Sequence, residues 1–319
     1  MKKIITASIC AVFIVALGFC LGGREYSRTE YMMDTVITIT ADKREAVDKC
    51  FDEVKRLENL LGAYIKGSDV WRINQSPSGA PVKVAPETAE LIEKANEIKK
   101  LTAGAFDISI KPLVDLWNIK GGGYVPQDAE IDMALSLVGD IAVDRENLTV
   151  TLLKDGMKID LGGIAKGYVG DKVREILIAN DVKSALVDLG GNIVTVGKNG
   201  NKPWYVGLQN PTESRGMIFA SVPSVNNTVV TSGGYERYFE KNGQAYHHII
   251  DPATGKNPEN DVLSVTIISE DGTLADAFST ACFVLGKDKG MELAEKCGVD
   301  AVFYTGSGQV YHTPDLELN

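Results

Sequence analysis

The octet "DLGGIAKG" at residues 160–167 divides the chain into two unlike parts. Ahead of it lie two amphipathic helices and a few short strands; beyond it the pattern turns mostly to strands. The octet itself joins a strand-like "MKI" to a helix-like "YVGDKVREIL". Glycine is unfavourable inside either element, so a pair at such a junction serves the path of the backbone or the approach of a ligand. Amides at a helix start attract anions, and Lys166 adds a mobile positive charge. A tight turn with Lys166 solvated accounts for the same residues. The octet alone leaves both readings open.

Working outward, "TVITIT" (35–40) alternates as a short strand does. Val47, Cys50, Phe51, Val54, Leu57 and Leu61 recur at helical spacing and predict a helix over 42–62. A second helix is expected over 85–104, stopped by Gly104, followed by a loop at 121–127 and strands at 148–153 and 156–160. The helix entered at the octet runs to about Asn180. Beyond it "SALVDLGG", "IVTVG", "WYVGLQ", "MIFASV", "TVVTSG", "HHIID" and "LSVTIIS" read as strands between Gly, Asn and Pro turns. Helices at 273–286 and 287–297, then strands "AVFYT" and "VYHT", close the chain. Helices and strands mix without strict βαβ alternation, which implies an α+β fold of mainly antiparallel sheets with flanking helices.

The 319 residues suffice for a sizeable core. Lys and Arg number 33 against 43 Asp and Glu, a net charge of −10, with no basic run. Nucleic acid is therefore not an expected partner. Any anionic ligand must be met locally, by helix ends, single cations or a bound metal.

Residues 1–23 are of another kind: Lys2 and Lys3 precede an apolar run whose polar members are Thr6 and Ser8. This is a signal peptide or a membrane anchor, leaving 24–319 as the folded body. "LGFC" resembles a lipoprotein cleavage site, with Leu17 three residues before Cys20, although Phe19 stands where a small residue is expected. An uncleaved helix of about 20 residues would also reach across a bilayer. Either route puts the body on the outer face of the cytoplasmic membrane. Of the five cysteines, Cys50, Cys282 and Cys297 lie in apolar helical patterns and read as small buried hydrophobes. A Cys282–Cys297 disulfide stays open as the alternative.

Four further stretches carry chemistry. In "LADAFSTACFVLG" (274–286), Asp276 and Thr280 are four apart and share a helix face, with Ser279 beside them. One carboxylate with hydroxyls suits a hard cation such as Mg²⁺. An Asp near a helix start is stabilising without any metal, and Ser or Thr can bond back to the preceding turn. "YHHIIDPATG" (246–255) pairs His247 and His248 near Asp251, as a proton acceptor or as one solvated and one packed ring. "TSGGYERY" (231–238) offers hydroxyl, bare backbone and Arg237, and reads as a phosphate loop or a hairpin turn. "GAFDISIKPLVDLW" (104–117) reads by itself as core with Asp107 as a cap.

Together with "MDT" (33–35), "AYIKGSDVWRIN" (63–74) and "LVDLGGN" (186–192), these motifs in this order resemble the ApbE family of FAD:protein FMN transferases, from about Met33 past residue 300. The resemblance implies that FAD is the substrate, lined by Met33, Tyr64, Ala105, Phe106, Asp107, Asp160, Lys166 and Ile250. It implies a Mg²⁺ site, with Mn²⁺ as the alternative ion, on the Gly163 carbonyl, Asp276, Ser279 and Thr280, and His248 as the base. Asp34 departs from the family pattern, in which Gly is common, and Gly234 stands where Asp or Ser is found.

The reaction implied is transfer of FMN from FAD to a Thr or Ser hydroxyl of an exported acceptor flavoprotein domain of a respiratory or electron-transfer complex, with release of AMP. Two rivals share these residues: an FAD pyrophosphatase of the same fold, and a non-catalytic extracellular FAD carrier. Tyr64 favours the transferase over the first, and the Asp276, Ser279 and Thr280 set argues against the second.

Overall fold

A computed structural model describes residues 25–319, so the leader at 1–23 and the anchor position Cys20 lie outside the described residues. Strands β1 (Tyr26–Met32) and β2 (Thr35–Ala41) form a hairpin. Its two turn residues, Met33 and Asp34, have φ of 52° and 58°. A two-residue turn with both centres left-handed matches the twist of the strands and favours Gly, Asn or Asp. That explains the departure at position 34: Asp tolerates the conformation that Gly adopts freely, and its carboxylate turns outward to Lys120 Nζ at 2.6 Å.

Helix α1 (Arg44–Leu61) buries the apolar stripe seen in the sequence, from Ala46 to Leu61. The short helix α2 (Asp69–Gln75) is capped by Ser68, whose hydroxyl accepts the Trp71 amide. Then follow β3 (Val82–Lys83), α3 (Pro86–Leu101), α4 (Lys111–Trp117), α5 (Asp128–Ser136), β4 (Ile141–Asp144) and β5 (Thr149–Leu152). Strands β3, β5 and β4 make a small antiparallel sheet. The strand expected at 156–160 does not form. Asn74 takes the place of a neighbouring strand there, donating to the Ile159 carbonyl at 2.9 Å and accepting its amide at 2.7 Å.

The second half supplies α6 (Ala165–Ala179), β6 (Ser184–Asp188), β7 (Asn192–Gly197), β8 (Trp204–Gln209), β9 (Ile218–Ser224) and β10 (Thr228–Gly233). After these come β11 (Tyr238–Lys241), β12 (Gln244–His247), β13 (Val262–Ser269), α7 (Gly272–Cys297), β14 (Asp300–Thr305) and β15 (Val310–His312). The helices expected at 273–286 and 287–297 meet in α7 at Gly286, whose φ of 77° breaks the helical run. The main sheet has eight strands in the order β1-β2-β6-β7-β10-β13-β14-β15, each pair antiparallel. The α+β reading holds.

Alternate residues of this sheet feed two cores. On one face Val194, Val230, Ile267 and Phe303 pack with α1, α6 and α7. On the other, Ile193, Val229, Ile268 and Val302 pack against Val206, Leu208 and Val222 of the β8–β9 hairpin. The free thiols of Cys50 and Cys282 are buried, and burial pushes both up to about 12, so they behave as small hydrophobes; Cys297 is a half-buried free thiol. Among the described residues no helix is long and apolar enough to cross a membrane.

Candidate functional site

The first turns of α6 and α7 are clamped together. Asp171 accepts the Gly272 amide at 2.9 Å and the Thr273 amide at 2.8 Å, which caps α7 from a neighbouring helix. The Gly167 amide donates to Asp276 Oδ2 at 2.8 Å in the opposite sense. The approach depends on glycine: a Cβ at Gly167 would lie 2.1 Å from the Gly272 carbonyl oxygen and 2.7 Å from Asp276 Cβ. The octet therefore needs its last glycine for helix contact.

Its earlier residues face a cleft of about 2260 Å³. Asp160 accepts the Gly162 amide at 2.7 Å and so fixes the turn into α6. Gly163 lies against both Phe106 and Thr280, since a Cβ there would sit 3.2 Å and 3.7 Å from their side chains. Lys166 reaches across to Asn192 Oδ1 at 2.9 Å on β7. Asp188, one strand over, is buried, and burial pushes its carboxyl up while the Gly190 and Gly191 amides and the Lys166 charge pull it down. The cleft thus meets an anion with the half-buried Lys166, while the Ala165, Gly167 and Tyr168 amides are taken up by Leu161, Asp276 and Ile164.

Of the residues singled out in the sequence, Tyr64, Ala105, Phe106, Asp107, Asp160, Gly163, Lys166, His248, Ile250, Asp276 and Thr280 line this one cleft. Two do not. Met33 packs on the main core and donates its amide to Glu58 at 2.6 Å. Ser279 is fully buried, and its hydroxyl lies 2.8 Å from the Asp276 carbonyl and 2.7 Å from Ser232 Oγ. Asp107 lines the wall, but its carboxylate is engaged by Ser109 and, at 2.9 Å, by Lys99. Two polar residues were not singled out: Ser232 on β10, 3.4 Å from Thr280 Oγ1, and Asn192. Both fall inside quoted motifs, yet only the pairing of distant strands brings them here.

The two histidines part ways, as neighbours at the end of a strand do. His247 stacks edge-on against Phe283 and is held by Asn257. His248 faces the cleft, with Nδ1 3.3 Å from the Arg237 carbonyl. The residue is half-buried in the cleft wall. Desolvation, with the Arg237 charge behind it, pushes it down to about 3, so the imidazole is neutral at neutral pH. Donation from Nδ1 to that carbonyl leaves Nε2 as the free acceptor. At the opposite rim Tyr64 is 64% exposed, with Lys111 Nζ 4.1 Å from its ring centre and 3.0 Å from its hydroxyl.

Asp276 is buried, with 4% of the residue exposed, and the partner of Oδ2 is an uncharged amide. Among the described residues no Lys or Arg forms an ion pair with it, whereas buried Asp107 and Asp69 each have one. A buried carboxylate without a counter-cation, beside the Thr280 hydroxyl and Gly163, fits Mg²⁺, which takes oxygen ligands and keeps water and phosphate in its shell. No cluster of three or more His, Cys, Asp or Glu suited to a metal occurs among the described residues, so this set rests on a single carboxylate.

Comparison with known proteins points one way. The model of the ApbE family matches residues 33–303. The FAD:protein FMN transferase of Klebsiella pneumoniae is 36% identical over 88% of this chain and 90% of its own. That of Treponema pallidum is 37% identical over 92% and 89%. Among solved structures, the ApbE protein of Thermotoga maritima superposes with a TM-score of 0.85 at 34% identity, covering 91% of this chain and 97% of the other. The flavin transferase ApbE of Vibrio cholerae gives 0.81 at 25% identity, covering 92% and 98%.

Proposed function

The chain belongs to the ApbE family, and on that premise we propose that it is an FAD:protein FMN transferase, moving FMN from FAD to a Thr or Ser hydroxyl of a second protein with AMP leaving. One observation carries the reading: Lys166, neutral His248 and the unpaired carboxylate of Asp276, from three distant segments, open onto one cleft.

In the step proposed, the acceptor oxygen bonds to the phosphorus on the FMN side of the pyrophosphate, and the bond to the bridging oxygen breaks, leaving with AMP. His248 Nε2 takes the hydroxyl proton. Lys166 holds the phosphates by charge. Phe106, Ala105 and Ile250 give an apolar wall, and Tyr64 covers the open side. Mg²⁺ held by Asp276, Thr280 and the Gly163 carbonyl would neutralise the pyrophosphate charge. The hydroxyl of Ser279, bonded to Ser232 and the Asp276 carbonyl, braces that set from behind.

The leader supports export, with the body of residues 24–319 held at the outer face of the cytoplasmic membrane, where an exported flavoprotein domain would be the acceptor. Incubation with FAD, Mg²⁺ and such a domain in its unmodified form, followed by intact-protein mass measurement, tests the proposal. A covalent FMN adduct is expected. AMP and free FMN without an adduct would favour the pyrophosphatase, and unreacted FAD the carrier.

A further inference from the structure

The cleft has an arm outside the part that holds the candidate residues. It runs beneath the β8–β9 hairpin, between β8 and the outer face of β2 and β6, where Val36, Ser184 and Leu186 line it. Trp204, Tyr205, Val206 and Gly207 of β8 form the other wall. The hydrogen bonding of this hairpin is lopsided. Tyr205 lies opposite Pro223, which has no N–H, so this pair cannot exchange hydrogen bonds and the Tyr205 peptide groups point away from β9. Two residues on, Gly207 lies opposite Ser221, whose own N–H and C=O are both bonded to Asn319 at 2.9 Å. The peptide groups of Gly207 therefore point away from β9 as well. One edge of the hairpin is closed by Asn319. Among the described residues the other edge has no backbone partner, and it faces the arm.

Charge is unevenly placed in the same arm. Lys183, Lys198 and Lys202 line its far end, and none of them forms an ion pair among the described residues. The acids there are Asp42 and Glu25, and Asp42 accepts the Lys183 amide at 3.3 Å. Three lysines without ion pairs in a chain of net charge −10 favour an acidic partner. An open strand edge is a template for a strand from another chain, and proteins commonly guard such edges with lysine. This edge lies inside the cleft where the transfer is proposed to occur, which a merely guarded edge has no reason to do.

We propose that the acceptor polypeptide docks by adding an extended segment to the free edge of β8, with acidic residues of that segment meeting Lys198 and Lys202. The inference rests on the transferase reading and extends it to the second substrate. The six residues of β8 give an edge of about 20 Å, enough to hold a segment in register while its hydroxyl residue lies further along the cleft.

The test uses the full body with FAD, Mg²⁺ and an unmodified exported flavoprotein domain as acceptor. Tyr205→Pro removes an outward N–H without touching the β8–β9 ladder, and Lys198→Glu with Lys202→Glu reverses the charge. Each is expected to raise the acceptor KM at least ten-fold, with FAD affinity and kcat unchanged. In the wild type, hydrogen exchange at the Tyr205 and Gly207 amides should slow when acceptor is added, a readout of docking that requires neither transfer nor a folded variant. Unchanged KM in both variants, or unchanged exchange at saturating acceptor, overturns the docking proposal. Slowed exchange without any FMN adduct in the wild type would instead retain the docking site and remove the transferase reading.

Discussion

The floor of the cleft and its β8 rim are built on opposite terms. At the floor, Asp276, Ser279 and Phe278 are buried, the α6–α7 contact admits no extra carbon, and the Asp276 side chain is bonded to the next helix. At the rim, Tyr205, Met217 and Ile218 are all more than half exposed, and the Tyr205 and Gly207 peptide groups on the β8 edge have no partner among the described residues. A buried, cross-bonded floor can hold charges in positions that solvent would not tolerate. An open edge keeps its bonding capacity for a partner that arrives later. On the proposed reading, chemistry on the small molecule falls at the buried floor and recognition of the protein substrate at the exposed edge.

The sharpest way to break this division is Asp276→Asn. The amide oxygen still accepts the Gly167 N–H, so the fold should persist, while the charge is lost. Transfer should fall about a thousand-fold, ~4 kcal/mol in the barrier, and Mg²⁺ titration by calorimetry should lose its heat. Near-normal flavinylation at limiting Mg²⁺ would remove the metal role. Gly167→Ala attacks the floor as structure: its Cβ meets a backbone carbonyl that cannot step aside, and a stability loss of about 3 kcal/mol is expected in denaturant melts. A loss under about 1 kcal/mol would mean that α6 and α7 part easily.

Much of the floor was legible in the sequence because its signals are local. The four-residue spacing of Asp276 and Thr280 and the glycines of the octet point to it, although each by itself also fits a plain capping or turn role. Ser279 was not resolved by spacing: on a helix it can point outward or bond back one turn, and the burial of α7 selects the second. Strands β2, β10 and β13 announced themselves by alternating or continuous apolar residues. Segment 156–160 carries the same apolar pattern but pairs with the Asn74 side chain, a partner more than eighty residues away. Strand β1, "YSRTEYM", has an exposed polar face and gave little signal. Ser232 and Asn192 reach the site only through the strand order of the sheet.

Lys166→Ala should weaken FAD binding ten- to thirty-fold, ~1.4–2 kcal/mol, with no change in the metal requirement. Fluorescence titration of FAD checks it, and unchanged affinity would make Lys166 a partner of Asn192 alone. Tyr64→Asn, at the exposed rim, should cost about 1 kcal/mol of nucleotide binding, the low end of stacking on an aromatic, and should speed AMP release without acceptor. Equal rates in both proteins would remove Tyr64 from the cover.

The smallest expected effect is an absence of change. His248 is held at about 3 against an ordinary 6.5, so its ring stays neutral from pH 5 to 8 and transfer should show no inflection near 6.5. The sign for stability follows: the unfolded ring takes a proton near 6.5 and the folded ring only near 3. Its contribution is therefore complete above 6.5 and declines as pH falls toward 3. A rate that drops ten-fold between pH 7 and 5.5 would contradict this placement.

The cleft is proposed to transfer FMN to protein instead of releasing it to water. Parallel measurement of free AMP and acceptor-bound FMN, over a time course with FAD and Mg²⁺, tests it most directly. One AMP for each FMN attached is expected, with slow AMP formation when the acceptor is left out. AMP accompanied by an equal amount of free FMN, at a rate indifferent to the acceptor, would contradict it.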